Sequence, residues 1–435
     1  MKKRRIPIFS LLALFLFFTV SSSTNAQVTV GSEIGPSKGA LLDLKEYESS
    51  NTVTSKKGLT MPRVHLKDLT KLYPMFENDN DYINNTGGKQ DTENALHIGL
   101  AVYNINTNFC DKPYYDDGIY VWNGKKWDYL GNSGSSEVMT FSDQDGNPFK
   151  ARRFGNAGIW MLQNVRATTY ANGSPAPQLN AGSSATDKYY CYPAPLSNPE
   201  GIQDGTLDKY FLLQPEMGLL YNPAAALNLE NTSTANQEQV AGDIPGPNEV
   251  ENTAPNGRIQ GICPKGWHVP SDREWNQLER EIYDSPQKYS TYTDQDAQLW
   301  NPIPWNRNWE TQISGSSILR GSSTGEGHGR AMLTSCPLVA SVYQGNFTGK
   351  SLPSYLGGFD VLPVGTAYNG QLSLGVEEYG YVGYFLTSSR TWSGVMTWFR
   401  GFGMDQSTYK QYVIRNRLLP GGPESLLSVR CKKDE

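Results

Sequence analysis

Short runs of apolar residues separated by turn residues occupy positions 27–130. Such runs are typical of short β-strands, and long stretches with the 3.6-residue period of a helix are scarce. The segment 118–127 alternates around Asn123-Gly124, which predicts a β-hairpin because both turn residues tolerate positive φ. So few residues cannot bury a large core alone. We therefore expect a small, mostly-β domain here that self-associates or docks onto the next domain.

Two polar segments divide the rest of the chain. Residues 131–137, rich in Gly and Ser, predict a flexible linker. Residues 228–256, rich in Asn, Glu, Pro and Gly, predict a long surface loop inside a second domain that covers 138–435. Early in that domain, residues 143–147 read Asp-Gln-Asp-Gly-Asn. They lack the spaced acceptors and closing Glu of a calcium loop, so they favour a hairpin turn.

One segment of the second domain has the pattern of a helix start. Ser271 is followed three residues later by Glu274, which is the spacing of a capping box. The apolar residues that fall on one face of the following helix are Trp275, Leu278 and Ile282. The pattern predicts a helix that begins at Asp272 and packs through that face.

The first 26 residues have the order of a secretory signal: basic residues, then an apolar stretch, then small polar residues. The apolar stretch, 6–20, is shorter than the roughly 20 residues that a membrane-spanning helix needs. We expect cleavage after Ala26, with a retained anchor as the alternative, and no membrane span in the remaining chain. No cysteine directly follows to accept a lipid. The protein is therefore predicted to be secreted, periplasmic or held at the cell surface.

The charge of the chain argues against nucleic acid as a partner. Its formal net charge is −5, and removal of the signal takes four positive charges and no negative ones, which leaves −9. Binding to a phosphate backbone needs clustered Lys and Arg. We therefore expect no nucleic-acid partner.

Four motifs in the first domain follow one another in a recognisable order. They are Leu-Leu-Asp-Leu at 41–44, Gly-Leu-Thr-Met-Pro-Arg at 58–63, Gly-Leu-Ala-Val-Tyr-Asn at 99–104, and the Gly-Ile-Tyr-Val-Trp-Asn-Gly-Lys-Lys-Trp hairpin at 118–127. This order resembles the N-terminal region of many exported Bacteroidetes proteins. The resemblance implies a stalk or collar module more than a catalytic one. Because the core of this domain is small, we expect a homo-oligomer through the N-terminal domain.

The second domain has more specific motifs. They include Gly-Ile-Cys-Pro-Lys-Gly-Trp-His-Val-Pro at 261–270 and the closing Ser-Val-Arg-Cys at 428–431. These segments resemble the Fibrobacter succinogenes major paralogous domain. The Pro-Ser-x-x-Glu-Trp helix start is also similar to the formylglycine-generating and sulfatase-modifying group. That similarity implies an α+β, C-type-lectin-like fold, with two short helices around irregular antiparallel sheets and with its ends close together.

Five widely spaced cysteines contain no C-x-x-C pair. Because the resemblance implies that the first and last elements lie side by side, Cys263 and Cys431 are the first choice for a disulfide. Cys191 and Cys336 could form a second one. That arrangement would leave Cys110 as the odd thiol.

The sequence contains no residue pattern that is typical of a catalytic or metal-binding site. The four histidines form no H-x-x-x-H pair, and His268 is interpreted as a side chain positioned by the fold. The glycine-rich segment 325–329 is not followed by the Lys-Ser/Thr or the helix of a phosphate-binding loop. No positions closely match the reactive cysteine pair of the formylglycine-generating enzymes. We expect no cofactor, no metal and no enzyme activity.

Aromatic residues offer the chemistry of a binding protein, because their faces give large contact areas at low entropic cost. The candidate ligand-binding residues are Trp305, Trp309, Trp392, Trp398 and Arg400. The leading hypothesis is an exported surface protein that recognises glycan or protein partners through the lectin-like domain. The alternatives are an extracellular enzyme of the sulfatase-modifying type and a structural part of a surface filament or envelope.

Overall fold

A computed structural model describes most of the chain between positions 28 and 435. The described residues are 28–47, 54–106, 110, 117–131, 137–180, 183, 187–195, 209–228, 258–293, 295, 305, 320, 326–341, 349–368, 376–390, 397–404, 411–418 and 425–435. The predicted signal, most of the predicted linker, the predicted loop after Asn228, and both Trp309 and Trp392 lie outside them.

The N-terminal region contains two small sheets. Their strands are β1 (Val28–Val30), β2 (Leu42–Leu44), β3 (Arg63–Val64), β4 (Ala101–Asn104), β5 (Gly118–Trp122) and β6 (Trp127–Tyr129). β1 and β2 form a parallel pair, and the other four strands form a sheet in the order β3-β4-β5-β6. Two helices, Asn80–Ile83 and Lys89–Leu96, and a 3-10 turn, Thr86–Gly88, lie between β3 and β4. The strand-rich pattern of the sequence did not predict these helices.

The hairpin of the N-terminal region is the one that the sequence predicted. Trp122 pairs with Trp127 across the turn, and the Asn123 amide donates to the Lys126 carbonyl at 3.0 Å. Gly124 has a φ of +96°. Seven apolar side chains form the core of the region: Leu66, Leu72, Tyr82, Val102, Tyr120, Trp122 and Trp127. This core is small, as the length of the segment requires.

The rest of the chain is built from short strands. They are β7 (Val138–Ser142), β8 (Pro148–Arg153), β9 (Ile159–Met161), β10 (Tyr190–Cys191), β11 (Leu220–Tyr221), β12 (Trp267–His268), β13 (Ala367–Tyr368), β14 (Val382–Arg390), β15 (Thr397–Met404), β16 (Gln411–Leu418), β17 (Ser425–Leu426) and β18 (Lys432–Lys433). The larger sheets run β12-β18-β9-β8-β7 and β14-β15-β16, and all their pairs are antiparallel. The turn between β7 and β8 is the hairpin predicted at residues 143–147.

Four helices lie among these strands in the described part of the chain: Lys209–Leu213, Pro223–Leu227, Asp272–Asp284 and His328–Met332. The 3-10 turns are Gly155–Ala157, Pro215–Met217, Pro286–Lys288 and Ser354–Leu356. The expectation of two short helices was therefore too low. The last α-helix also begins inside the glycine-rich segment, where the sequence predicted none.

The helix Asp272–Asp284, called the central helix below, begins where the sequence predicted. The Ser271 hydroxyl accepts from the Glu274 amide at 3.2 Å, and the Glu274 carboxylate accepts from the Ser271 amide at 2.8 Å, which completes the capping box. Trp275, Leu278 and Ile282 are fully buried in one core cluster with strand residues of β14, β15 and β16. The central helix thus lies against the β14-β15-β16 sheet.

The beginning and end of the second region meet in one sheet, because β18 lies between β9 and β12. A disulfide joins Cys263 to Cys431 at the same place, with a Cα–Cα distance of 5.9 Å. It closes a span of 168 residues. Chain entropy alone would assign such a crosslink about 5 kcal/mol as an upper bound.

The second disulfide differs from the expected one. Cys336 is bonded to Cys110, not to Cys191, and Cys191 is a buried free thiol. The expectation that Cys110 would be the odd thiol was therefore wrong. The physical reason is placement: Cys191 lies in β10 inside the hydrophobic core, whereas Cys110 follows β4 and reaches the loop at Cys336.

The described fold is mixed α+β, with mostly antiparallel sheets and few helices. Its charged residues are not confined to the surface, since five arginines are buried almost completely in the second region: Arg273, Arg320, Arg400, Arg415 and Arg430. Among the described residues, no helix has the length and apolar character needed to cross a membrane.

Candidate functional site

The structure places the described candidate ligand residues mostly in the interior. Arg400 is fully buried, and Trp398 is buried with the Arg415 guanidinium 3.8 Å above its ring. Neither side chain is available to a ligand at the surface. Trp305 is partly exposed and packs its ring against Tyr283 at 5.5 Å between centroids. Among the described candidates, only Trp305 therefore reaches the surface.

Arg400 belongs instead to a buried ionic cluster beneath the central helix. Asp272, Asn276 and Glu279 lie one helical turn apart, so their side chains share a face. Arg400 on β15 donates to all three of them, with its Nε 2.6 Å from Glu279 Oε1. Arg415 on β16 completes the pair with Asp272, at 2.9 Å from its Nη2 to Oδ2.

A third arginine and a histidine complete the cluster, and both contact Glu279. Arg320 Nη1 lies 3.0 Å from the Glu279 carboxylate and 2.9 Å from Asn276 Oδ1. His328 Nε2 lies 3.2 Å from Glu279 Oε2. The cluster therefore joins the helix face to two strands and to the start of the helix His328–Met332.

The arginines set the protonation of the two buried carboxyls. Burial alone would raise the pKa of Asp272, but the charges of Arg400 and Arg415 outweigh it and hold that pKa below its ordinary value. Burial would likewise raise the pKa of Glu279, but the charges of Arg320 and Arg400 hold that pKa well below its ordinary range. Both carboxyls are therefore charged at neutral pH. The cluster fixes the helix on the sheet.

His268 is positioned by the fold, as the sequence indicated. Its Nδ1 lies 2.6 Å from Asp434 Oδ1, and its Nε2 lies 3.0 Å from Glu274 Oε1. Lys432 Nζ is 2.9 Å from the same Glu274 oxygen. Burial would raise the pKa of Glu274, but His268 and Lys432 hold it well below its ordinary value. These contacts join the helix start to the last strand.

Two adjoining cavities form the most site-like feature of the described surface, and we call them together the cleft. The first has a volume of about 380 Å³ and lies between the β7-β8 hairpin and the 3-10 turn at Pro215–Met217. The second has a volume of about 280 Å³ and lies beside the Cys110–Cys336 disulfide. Gln163 and Glu216 line both cavities.

The buried side chain of Arg430 contacts residues in the walls of both cavities. It is fully buried, and its Nε donates to Asn164 Oδ1 at 2.9 Å while its Nη2 donates to the Asp360 carbonyl at 2.7 Å. Asn164 lines the first cavity and Asp360 lines the second. Burial lowers the pKa of Arg430 to about 9, and the ring of Phe359 lies 4.4 Å from its guanidinium carbon. One buried side chain therefore fixes both cavities.

Backbone amides orient the polar side chains of the cleft. Gln163 Oε1 accepts from the Lys150 amide at 3.0 Å, and Gln214 Oε1 accepts from the Val339 amide at 3.1 Å. Asp360 Oδ2 accepts from the Ser354 amide at 3.0 Å. With the oxygens of both glutamines used in this way, their amide nitrogens are the groups left for other partners.

A different surface dominates the N-terminal region. In the described part of the chain, the fifteen exposed large apolar side chains include only two after residue 131, Leu212 and Leu213. The other thirteen are Val28, Val30, Leu41, Leu42, Leu44, Leu59, Met75, Ile83, Leu96, Ile98, Tyr103, Ile119 and Leu130. Among them, Val28, Val30, Leu42 and Leu44 lie together on the β1-β2 pair.

Comparison with known families fits this division of the chain. The model of the Fibrobacter succinogenes major domain matches residues 155–433, which is well over half of the chain. The chain belongs to the Fibrobacter succinogenes major domain family. The family domain therefore contains the ionic cluster, Arg430 and most of the cleft.

The N-terminal region matches a second model, described as a phage tail like trimerisation region, over residues 29–141. The matched residues contain twelve of the thirteen exposed apolar side chains, all but Val28. Neither a curated protein nor a solved structure matches the chain. The two matches together indicate a surface or structural protein.

The cleft is the feature that sequence reasoning missed. Its main polar residues come from three separate segments, at Gln163, at Gln214 and Glu216, and at Asp360, and no local spacing connects the three segments. Arg430 was visible in the closing Ser-Val-Arg-Cys motif, but its function as a buried brace was not. Among the described residues, no group of three His, Cys, Asp or Glu side chains could hold a metal ion.

Proposed function

We propose that this protein is an exported surface protein that assembles as a trimer through its N-terminal region and displays its family domain for recognition. The family domain is lectin-like and binds glycan or protein partners without catalysing a reaction. Assembly multiplies weak contacts, because three linked copies bind a repeating surface more tightly than one copy does.

The observation that carries this proposal is the apolar face of the β1-β2 pair. Val28 pairs with Leu42 and Val30 with Leu44, and all four side chains are exposed, by 40–55%. An isolated two-stranded sheet is marginally stable in water. Burial of this face against the same face of other copies would stabilise it. The match of residues 29–141 to a trimerisation region supports three as the number of copies.

Export and a lectin-like fold have their own support. Two disulfides are typical of proteins outside the cytoplasm. The irregular antiparallel sheets, and the strand β18 that brings the end of the domain beside β9, agree with the lectin-like topology that the sequence resemblance implies.

The alternative function, an enzyme of the sulfatase-modifying type, needs a reactive cysteine thiolate. The state of the five cysteines supports the non-catalytic proposal instead. Cys191 is buried, and burial raises its pKa far above the ordinary value, so it is a poor nucleophile. The other four cysteines are bonded in pairs. The structural alternative, a filament component, differs from the proposal in the size of the assembly.

Light scattering coupled to size exclusion tests the proposal on the chain without residues 1–26. A mass of three chains is expected at micromolar concentration. A monomer would contradict the assembly, and an open-ended series of larger species would favour the filament alternative.

A further inference from the structure

We infer that the cleft is the ligand site of the family domain and that its ligand is a neutral oligosaccharide. The inference rests on the proposed recognition function and adds to it the place and the class of ligand. The two cavities have the size of small-ligand sites and adjoin at Gln163 and Glu216. A ligand longer than one sugar ring can therefore occupy both.

The hydrogen-bond donors of the cleft come from two fixed carboxamides. Gln214 is only 8% exposed and lines the second cavity. Its oxygen is used by the Val339 amide, and its nitrogen has no hydrogen-bond partner in the described part of the chain. Gln163 is half-buried, and its oxygen is likewise used by the Lys150 amide. Both nitrogens can therefore donate to a ligand in the cleft, and such hydrogen bonds add affinity.

The acceptors of the cleft are carboxylates. Glu216 lines both cavities and Asp360 lines the second, where they are the charged lining residues. The first cavity is lined by two basic residues, Lys150 and Arg166, and by two acidic residues, Asp143 and Glu216, so the formal charges there are balanced. The cleft therefore offers donors and acceptors together.

Donors and acceptors side by side favour a neutral, hydroxyl-rich ligand over a cationic or an anionic one. A cationic group could pair with Glu216 and Asp360 but would offer no acceptor to the nitrogens of Gln163 and Gln214. An anionic group in the second cavity would be repelled by the two carboxylates. A hydroxyl both donates and accepts, so neighbouring hydroxyls of a sugar can satisfy a carboxylate and a carboxamide at once.

The remaining walls are apolar and suit the C–H faces of sugar rings. Phe149, Met161 and Val165 line the first cavity, and Leu162, Val339 and Leu362 line the second. Because Arg430 braces both walls, the cleft is formed before the ligand arrives, which reduces the entropic cost of binding.

Calorimetric titration of the chain without residues 1–26 tests the inference. The probes are neutral tri- and tetrasaccharides of glucose, mannose and xylose, with uronic-acid oligosaccharides and basic peptides as competing classes. Two substitutions of nearly equal shape separate the roles: Gln163→Glu removes a donor but keeps the acceptor for Lys150, and Glu216→Gln removes the carboxylate. Each should weaken binding of the neutral probe about tenfold or more. The matched controls are Gln277→Glu and Glu33→Gln, at exposed positions away from the cleft.

Each outcome decides the inference. Binding of a neutral oligosaccharide that both cleft variants weaken, and both controls retain, supports it. A folded trimer that binds none of the neutral probes, binds only peptides or uronates, or binds equally well in both cleft variants overturns it while leaving the proposed assembly intact. A monomer that binds through the cleft supports the site and contradicts the assembly. Thermal unfolding of each variant separates lost binding from lost folding.

Discussion

Arg400 Nε donates to Glu279 Oε1 at 2.6 Å, although the two residues lie 121 positions apart and both are fully buried. Glu279 also accepts from Arg320, and Arg400 also donates to Asp272. Removal of one member leaves the charge of its partners uncompensated in the interior. The cluster therefore makes the packing of the central helix on β15 sensitive to single substitutions.

Glu279→Gln should destabilise the protein by about 3–5 kcal/mol, because the buried charges of Arg320 and Arg400 would lose the carboxylate that compensates them. Urea unfolding followed by tryptophan fluorescence measures the change. Arg280→Gln is the matched control, since Arg280 is exposed and its pair with Asp284 lies on the surface. It should change the stability by less than about 0.5 kcal/mol. If the two substitutions lowered the free energy of unfolding equally, the buried cluster would contribute no more to stability than a surface ion pair does.

The same carboxyls predict how stability depends on pH. The folded pKa values of Asp272 and Glu279 lie below their ordinary values of 3.8 and 4.5. In acid, the unfolded chain therefore takes up protons before the folded chain does. The stability that these groups contribute should be complete above about pH 5 and should fall as the pH drops below 4.5. Urea midpoints between pH 3 and 7 measure it, and a midpoint that does not fall in acid would contradict the prediction.

The β1-β2 face predicts how assembly can be disrupted. Val30→Glu combined with Leu42→Glu places two carboxylates on the face that we expect to be buried between copies. Light scattering should then give a monomer in place of a trimer. Leu212→Glu, which changes an exposed apolar residue of the family domain, should leave the trimer intact. A double variant that still forms trimers would move the contact to another part of the N-terminal region.

Thiol titration tests the cysteine pairing. Without reductant, the native protein should show no reactive thiol, because Cys191 is buried and its pKa is raised by burial. Denaturant without reductant should reveal one thiol per chain. Peptide mapping should then identify the pairs Cys110–Cys336 and Cys263–Cys431. Two or more reactive thiols in the native state would contradict this arrangement and would reopen the cysteine-based enzyme alternative.

Local features were predictable from the sequence, and features made by distant segments were not. The capping box at Ser271 and the Asn123-Gly124 hairpin depend on residues a few positions apart, and both are present. Arg400 was interpreted as a candidate ligand-binding residue because nothing near it in the sequence shows the carboxylates that surround it. The pairing of Cys336 was wrong for the same reason, since the position of Cys110 depends on how the N-terminal region meets the family domain.

The Cys110–Cys336 disulfide gives the molecule a second covalent connection between its two regions. A pull on the N-terminal region reaches the loop at Cys336 directly and bypasses the chain between residues 111 and 335. The hairpin β7-β8 is then not in series with the load, whereas the second cavity of the cleft lies beside the bond that carries it. A surface protein under shear could in this way keep its family domain folded while its base is under tension, and reduction of this one bond would return the full force to the polypeptide between the two regions.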